Sequence, residues 1–224
     1  MQTRVLKIGG ASLFAPHEEF SRLVTHLRVE HLSGAYRSFC IVGGGDTVES
    51  MRTLQSHYPS LDAQTMHWRC VRLLDATWEV ASELIEFYTP IENADALQHA
   101  LSDPSPKSYL VNVNAYYTPA DVSCEAVAAG HAKVLIPQES WNTTTDALAW
   151  WLAYRIGAEQ VVIVKKTNCE SIENLAQAAQ DGVVDSEIAR LHRAAIELSW
   201  ADSLLPTISF LFEKQGWKYH TITQ

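Results

Sequence analysis

Arg4-Val5-Leu6-Lys7-Ile8-Gly9-Gly10 opens the chain with a short apolar run that stops at two glycines. Ser38-Phe39-Cys40-Ile41-Val42-Gly43-Gly44-Gly45 repeats that plan about thirty residues later. A brief, largely apolar run closed by glycine reads as a buried strand. Between the two runs, Phe20, Leu23, Val24, Leu27 and Leu32 recur at helical spacing, and Gly34 ends that helix. Strand, glycine turn and helix, taken twice, predict an α/β domain with a largely parallel sheet. Right-handed crossovers then bring the carboxyl ends of the strands to one edge, where ligands bind. Both glycine clusters should face that edge.

The rest of the chain continues the alternation. A helix is expected over 47–57, stopped by Pro59. Asp62 is placed to cap a long helix whose stripe is Val71, Leu74, Trp78, Ala81 and Ile85, with Pro90 as its end. Strands are expected at 109–113, 133–136, 160–164 and 208–212. A helix over 146–156 ends at Gly157, and Ile188, Leu191, Ala195 and Leu198 mark another. With 224 residues and no repeat, a single domain over 1–224 is expected.

Composition narrows the function. The formal net charge is -9, from 17 basic and 26 acidic residues, which argues against a general nucleic-acid binder. No apolar run is long enough to span a bilayer, and no signal-peptide segment opens the chain, so no membrane partner and a cytoplasmic location are expected. Cys40, Cys70, Cys124 and Cys169 are widely spaced and without a His partner at zinc spacing, which favours reduced thiols over a disulfide or metal framework.

Five of the ten glycines are Gly9, Gly10 and Gly43 to Gly45. Glycine lets a backbone approach a ligand closely, and a strand ending in glycines before a helix presents free N–H groups to an anion. Two such loops on one edge can grip a polyphosphate; the alternative is two tight turns with no ligand. Lys7 stands in an apolar strand, where burial without a counter-charge is costly. At the strand end its ammonium can reach a phosphate; the alternative is a snorkelling edge lysine. The run Gly43-Gly44-Gly45-Asp46-Thr47-Val48-Glu49 also looks like the nicotinamide-binding turn of flavin disulfide reductases. Val48 replaces the third glycine of that fingerprint, and the C-x-x-C pair of those enzymes is missing.

In order along the chain, Lys7-Ile8-Gly9-Gly10 with Ser12, Gly43-Gly44-Gly45, Thr144-Thr145-Asp146, and Ile156-Gly157-Ala158 before the 160–164 strand resemble the amino-acid kinase superfamily, which includes aspartokinase, acetylglutamate kinase and uridylate kinase. His67 to Asp75, Ser140-Trp141 and Val183-Val184-Asp185 look like aminomethylfuran phosphate kinase and its bacterial relatives in tetrahydromethanopterin-linked one-carbon metabolism. The resemblance implies a three-layer αβα sandwich that binds ATP with Mg²⁺ and transfers the γ-phosphoryl group to a small acceptor such as a phosphorylated furan. It implies a homo-oligomer with a small-molecule substrate.

In that reading Lys7 stabilises the transferring phosphoryl, and Asp146 orients the lysines and organises the metal. Gly9, Gly10, Ser12, Gly43, Gly44, Gly45, Thr145, Lys165 and Lys166 hold the nucleotide's phosphates. Asp75, His67 and Trp141 face the acceptor, with no protein residue assigned to a metal. This agrees with phosphoryl transfer, where positioning and charge neutralisation do most of the catalysis. Each acceptor-side residue has an ordinary alternative: a solvated helix face for Asp75, a structural histidine for His67 and core packing for Trp141, as for Trp150 and Trp151.

The sequence departs from the superfamily pattern in two places. Lys165-Lys166-Thr167-Asn168-Cys169 stands where T-D-V-D-G is common, so two carboxylates give way to two cations. The tail carries Lys214 and Lys218 but no glycine-rich loop. Lys165 then either supplies the missing cation or marks a fold whose nucleotide binding is altered or lost, leaving a non-catalytic binding protein as the other reading.

Overall fold

The computed structural model describes residues 2–128, 135–166, 172–198, 205–212 and 217–222. Seven strands form one sheet: β1 (Gln2–Ile8), β2 (Tyr36–Val42), β3 (Thr89–Ile91), β4 (Ser108–Val111), β5 (Gln160–Lys165), β6 (Thr207–Phe212) and β7 (Lys218–Thr221). Their order is β3-β4-β2-β1-β5-β6-β7. Every neighbouring pair is parallel except β6 and β7. The helices are α1 (Gly10–Leu13), α2 (His17–Ser33), α3 (Gly45–His57), α4 (Ala63–Leu84), α5 (Ala94–Ser102), α6 (Pro119–Ala128), α7 (Thr145–Ile156), α8 (Leu175–Gln180) and α9 (Ser186–Leu198).

Strand alternation sorts the core into two faces. Val5, Phe39, Ile41, Val161 and Ile163 pack with α7, α9 and the Val71–Leu74 part of α4. Leu6, Ile8, Cys40, Val42, Val162 and Val164 pack against Phe20, Leu23 and Leu27 of α2 and against Ala81 and Ile85. Helices on both faces of a mostly parallel sheet make the expected αβα sandwich. Both central strands are buried on both faces, which is why they read as continuous apolar runs.

Several local expectations are met by the caps. The Asp62 side chain accepts from Thr65 N at 2.7 Å, and Gly34 and Gly157 end α2 and α7 at φ 63° and 64°. Others are corrected. The long helix stops at Leu84, short of Pro90, which lies instead in the edge strand β3 where a missing N–H is tolerated. The expected strand at 109–113 is Ser108–Val111, because the Asn112 side chain accepts from Asn114 N and starts a 3-10 turn. Residues 133 and 134 of the expected 133–136 strand lie outside the described residues; Leu135 and Ile136 are buried but belong to no strand. Cys40 and Cys70 are buried free thiols.

No helix among the described residues is long and apolar enough to cross a membrane.

Candidate functional site

The carboxyl edge of the two central strands carries two lysines on one face. Lys7 pairs in register with Ile163, so Lys165 stands one pleat further along β5 on that same face. The N-terminus of α7 lies over it. Asp146, in the first turn of α7, meets Lys7 Nζ with Oδ1 at 2.7 Å and Lys165 Nζ with Oδ2 at 2.8 Å. The Lys7 and Asp146 side chains are 8% and 4% exposed, and Lys165 is 19% exposed, so solvent screens this triad weakly. The Lys7 contact lies off the hydrogen-bond axis and is a charge contact, whereas Lys165 donates a hydrogen bond.

Burial alone would raise the Asp146 pKa; Lys7 and Lys165 overcome it and hold the carboxyl well below the usual carboxylate range. It is therefore ionised at neutral pH. Burial pulls the Lys7 ammonium below its usual range, with Asp146 opposing the shift and Lys165 adding to it.

The two glycine loops form the adjoining wall. Gly43 N donates to Ile8 O at 2.9 Å, which carries the β1–β2 ladder past the strand ends. A Cβ on Gly10 would stand 1.9 Å from Gly45 N, so only glycine lets the loops touch. Gly45 also adopts φ 50°. The tight-turn reading thus explains part of this glycine usage. The loops nevertheless open onto the cavity, and α3 starts there from Gly44 with no side-chain cap. An uncapped helix N-terminus favours negative charge.

The cavity measures about 390 Å³. Part of its lining is charged, with Lys7, Lys165, Asp146, Asp185 and Arg52. The rest is glycine loop and apolar or aromatic side chains, with Val48, Val71, Leu74, Trp141, Val183 and Val184. The Trp141 indole N–H donates to Gln55 Oε1, and the Arg52 guanidinium lies 5.2 Å above its ring.

Of the residues expected from sequence, Lys7, Gly10, Gly43, Gly44, Gly45, Thr145, Asp146, Lys165, His67 and Trp141 line this cavity. Four stand elsewhere. Gly9 caps α1 behind Lys7, its Cβ position 3.7 Å from Lys7 Nζ. Ser12 and Lys166 lie together beside Phe20 and Trp217, and Lys166 pairs with Glu19 at 2.9 Å. Asp75 accepts from Asn112 and Asn114 at 2.7 and 2.8 Å, tying α4 to the turn after β4. His67 is in the wall, but its ring nitrogens contact Ser140 O and Tyr117 OH at 3.2 and 3.0 Å. Burial lowers its pKa, which favours a neutral structural ring. Trp150 and Trp151 are buried in the core. Residues 167–169 and Lys214 lie outside the described residues, and Lys218 is exposed on β7.

Sequence reasoning gave Asp185 no role beyond its family likeness. Its Oδ2 accepts from Thr144 N, Thr144 Oγ1 and Ala147 N at 2.8, 2.7 and 3.2 Å, and its Oδ1 accepts from Ile188 N at 2.7 Å. Burial, with the Asp146 charge second, raises its pKa to about 6. The signal was the spacing Asp185–Ile188, a capping carboxylate three residues before an N–H of the marked helix. Arg52 carried no sequence signal, because its position depends on the tertiary meeting of α3 with the loop before α7.

The described residues do not build a protein metal centre. Both Asp146 oxygens face ammonium groups, and no cluster of three or more His, Cys, Asp or Glu suited to a metal occurs among the described residues.

No family model and no curated protein matches the chain. Solved structures do. UMP kinase from Ureaplasma parvum aligns over 100% of both chains at TM-score 0.62 and 11% identity. Uridylate kinase from Archaeoglobus fulgidus aligns over 100% of this chain and 92% of its own at TM-score 0.57 and 14% identity. Carbamate kinase from Giardia lamblia, bound to AMP-PNP, aligns over 100% and 98% at TM-score 0.54 and 8% identity. The protein has the amino-acid kinase fold.

Proposed function

We propose that the protein is an ATP-dependent phosphotransferase of the amino-acid kinase superfamily, acting as a single domain over 1–224 on a small-molecule acceptor. The observation that carries this is the buried Asp146 bridging Lys7 and Lys165 beside the two glycine loops. Phosphoryl transfer needs cations fixed where charge develops on the moving group, and little else from the protein. Lys7, held on a central strand, is that fixed cation. Lys165 supplies the second. Asp146 keeps both aimed and spaced, and loop N–H groups at the start of α3 offer further donors. Mg²⁺ would be brought with the nucleotide and would supply further charge neutralisation during transfer.

The acceptor lies against the apolar and aromatic lining in this proposal. His67 to Leu74, Trp141 and Val183 to Asp185 are far apart in the chain and contribute to one wall. These are the stretches that resemble aminomethylfuran phosphate kinase, which supports a phosphorylated furan or similar one-carbon cofactor precursor as acceptor. A soluble homo-oligomer in the cytoplasm is the accompanying expectation.

The test is ADP release from MgATP with candidate phosphorylated furans, in wild type and Lys7→Ala. Turnover that disappears in Lys7→Ala supports the proposal. ATP binding with no turnover on any acceptor would favour the non-catalytic reading, and no ATP binding would overturn both.

A further inference from the structure

We propose that Asp185 is a positioning residue that sets the Asp146–lysine triad through the Thr144 hydroxyl. The inference deepens the phosphotransferase reading and uses the same site. It starts from the two carboxylate oxygens of Asp185, which serve different helices. Oδ1 accepts Ile188 N and so caps α9. Oδ2 accepts Thr144 N, Thr144 Oγ1 and Ala147 N at the start of α7. One buried carboxylate thus fastens the two helix N-termini to each other.

The Thr144 hydroxyl passes the constraint on. Its proton goes to Asp185 Oδ2, and its oxygen accepts Asp146 N at 3.2 Å. A hydroxyl donates one proton and has lone pairs left to accept, so both contacts hold at once. Asp146 is then fixed at its backbone from below and at its carboxylate by Lys7 and Lys165 from above. The chain of contacts runs from α9 through Asp185 and Thr144 to the two cations. Both Asp185 oxygens are needed, because four donors converge on them. An asparagine at 185 would turn an N–H₂ group toward one helix or the other and leave N–H groups there without an acceptor.

Charge and position make opposite predictions for Asp185→Asn. Burial is the larger cause of the raised Asp185 pKa, and repulsion between Asp185 and Asp146 is the second. Removing the Asp185 charge alone would therefore lower the Asp146 pKa further. Loss of positioning would loosen Asp146 from its lysines and raise it.

The experiment is a ¹³C NMR titration of the Asp146 carboxyl in wild type, Asp185→Asn, Thr144→Ser and Thr144→Val. Native-state melting would be checked first for each. We expect Asp146 in Asp185→Asn and Thr144→Val to bind its proton about tenfold more tightly than in wild type, a rise of about one pH unit. Thr144→Ser keeps the hydroxyl and should stay at the wild-type value. A purely structural cap would lower melting temperature in Asp185→Asn without moving Asp146. That result, or an Asp146 pKa at or below wild type in Asp185→Asn, overturns the proposal. If Asp185→Asn fails to fold, the Thr144→Val and Thr144→Ser pair decides, with equal Asp146 titration in the two overturning it. The readout needs neither ATP nor acceptor. A wild type without phosphotransfer would sink the phosphotransferase reading while the titration still judges the positioning role.

Discussion

Asp146→Asn is the sharpest perturbation of the site. Asparagine keeps the shape of the side chain and deletes the charge between two ammonium groups at 2.7 and 2.8 Å. The two lysines do not suffer equally. Lys165 is 19% exposed and can turn toward water, whereas Lys7 is 8% exposed on a central strand and cannot. The cost is therefore set by Lys7. Removing one partner of a buried ion pair costs about 3–5 kcal/mol. In a chain of this length about 1 kcal/mol lowers the melting temperature by about 2–4 °C, so the fall should be about 6–20 °C. Turnover should fall by about two orders of magnitude or more, the scale of a lost electrostatic transition-state group.

A polyanion separates this from ordinary damage. Tripolyphosphate returns negative charge to the stranded lysines, so it should raise the melting temperature more in Asp146→Asn than in wild type. The assays are thermal melting at pH 7 with and without tripolyphosphate, and ATP turnover. From sequence alone, a capping Asp146 would lose little on change to Asn, since asparagine is an equally good cap. In the structure Thr144 is the cap and accepts Asp146 N. Unchanged melting and unchanged turnover in Asp146→Asn would refute the assignment of the triad.

The pH dependence of stability should show two opposed contributions. Asp146 has a depressed folded pKa, so its contribution is present above the ordinary carboxylate value and is lost as pH falls below about 4. Asp185 has a raised one, about 6, so the folded state binds its proton more tightly and stability declines as pH rises from about 4 to 6. Urea unfolding from pH 3 to 7 should show that decline, and Asp185→Asn should flatten it; an identical profile in the variant would exclude Asp185 as its source. Gly10→Ala forces a Cβ within 1.9 Å of backbone and should destabilise by about 3 kcal/mol or more, read by urea unfolding. A stable, fully soluble Gly10→Ala protein would show that the two loops need not touch. Lys165→Ala should lower turnover by about a hundredfold and Lys166→Ala should leave it near wild type, measured at saturating ATP. Equal losses in both would place Lys166 in the site.

Most of the sheet was legible because β1, β2 and β5 are short apolar runs with clear ends, and Gly34 and Gly157 mark helix stops by their left-handed backbone. Besides the short helices α5, α6 and α8, two strands escaped because their identity is settled by neighbours. β3 is three residues with a proline at its centre, and it is a strand only because β4 offers a partner. β7 has a polar sequence that pairs at the sheet edge. Lys7 stood out because it breaks the apolar run of β1, whereas Asp146 was singled out through the resemblance of Thr144-Thr145-Asp146 to the superfamily motif. Asp75 misled because a carboxylate on a helix looks alike whether it faces a substrate or two asparagine amides.

Lys165 and Lys166 show how little of a site is contained in residue type. From sequence the two form one cationic pair beside the phosphates. Strand geometry does not permit that, because successive side chains on β5 point to opposite faces. The face is fixed well before the lysines are reached. Val161 and Ile163 belong to the cluster packed with α7, and Val162 and Val164 to the one packed with α2. Carried forward by one residue, that alternation sends Lys165 toward α7, where Asp146 waits, and Lys166 toward α2, where Glu19 does. A slip of one residue in the β1–β5 register would exchange their roles and bury the apolar faces wrongly. The apolar residues of β5 thus choose which lysine joins the triad, and the cavity lining gains one lysine from this stretch rather than two. Lys7 and Lys165 are balanced in that lining by Asp146 and Asp185, so a bound anion would meet two aimed ammonium groups rather than a net positive charge.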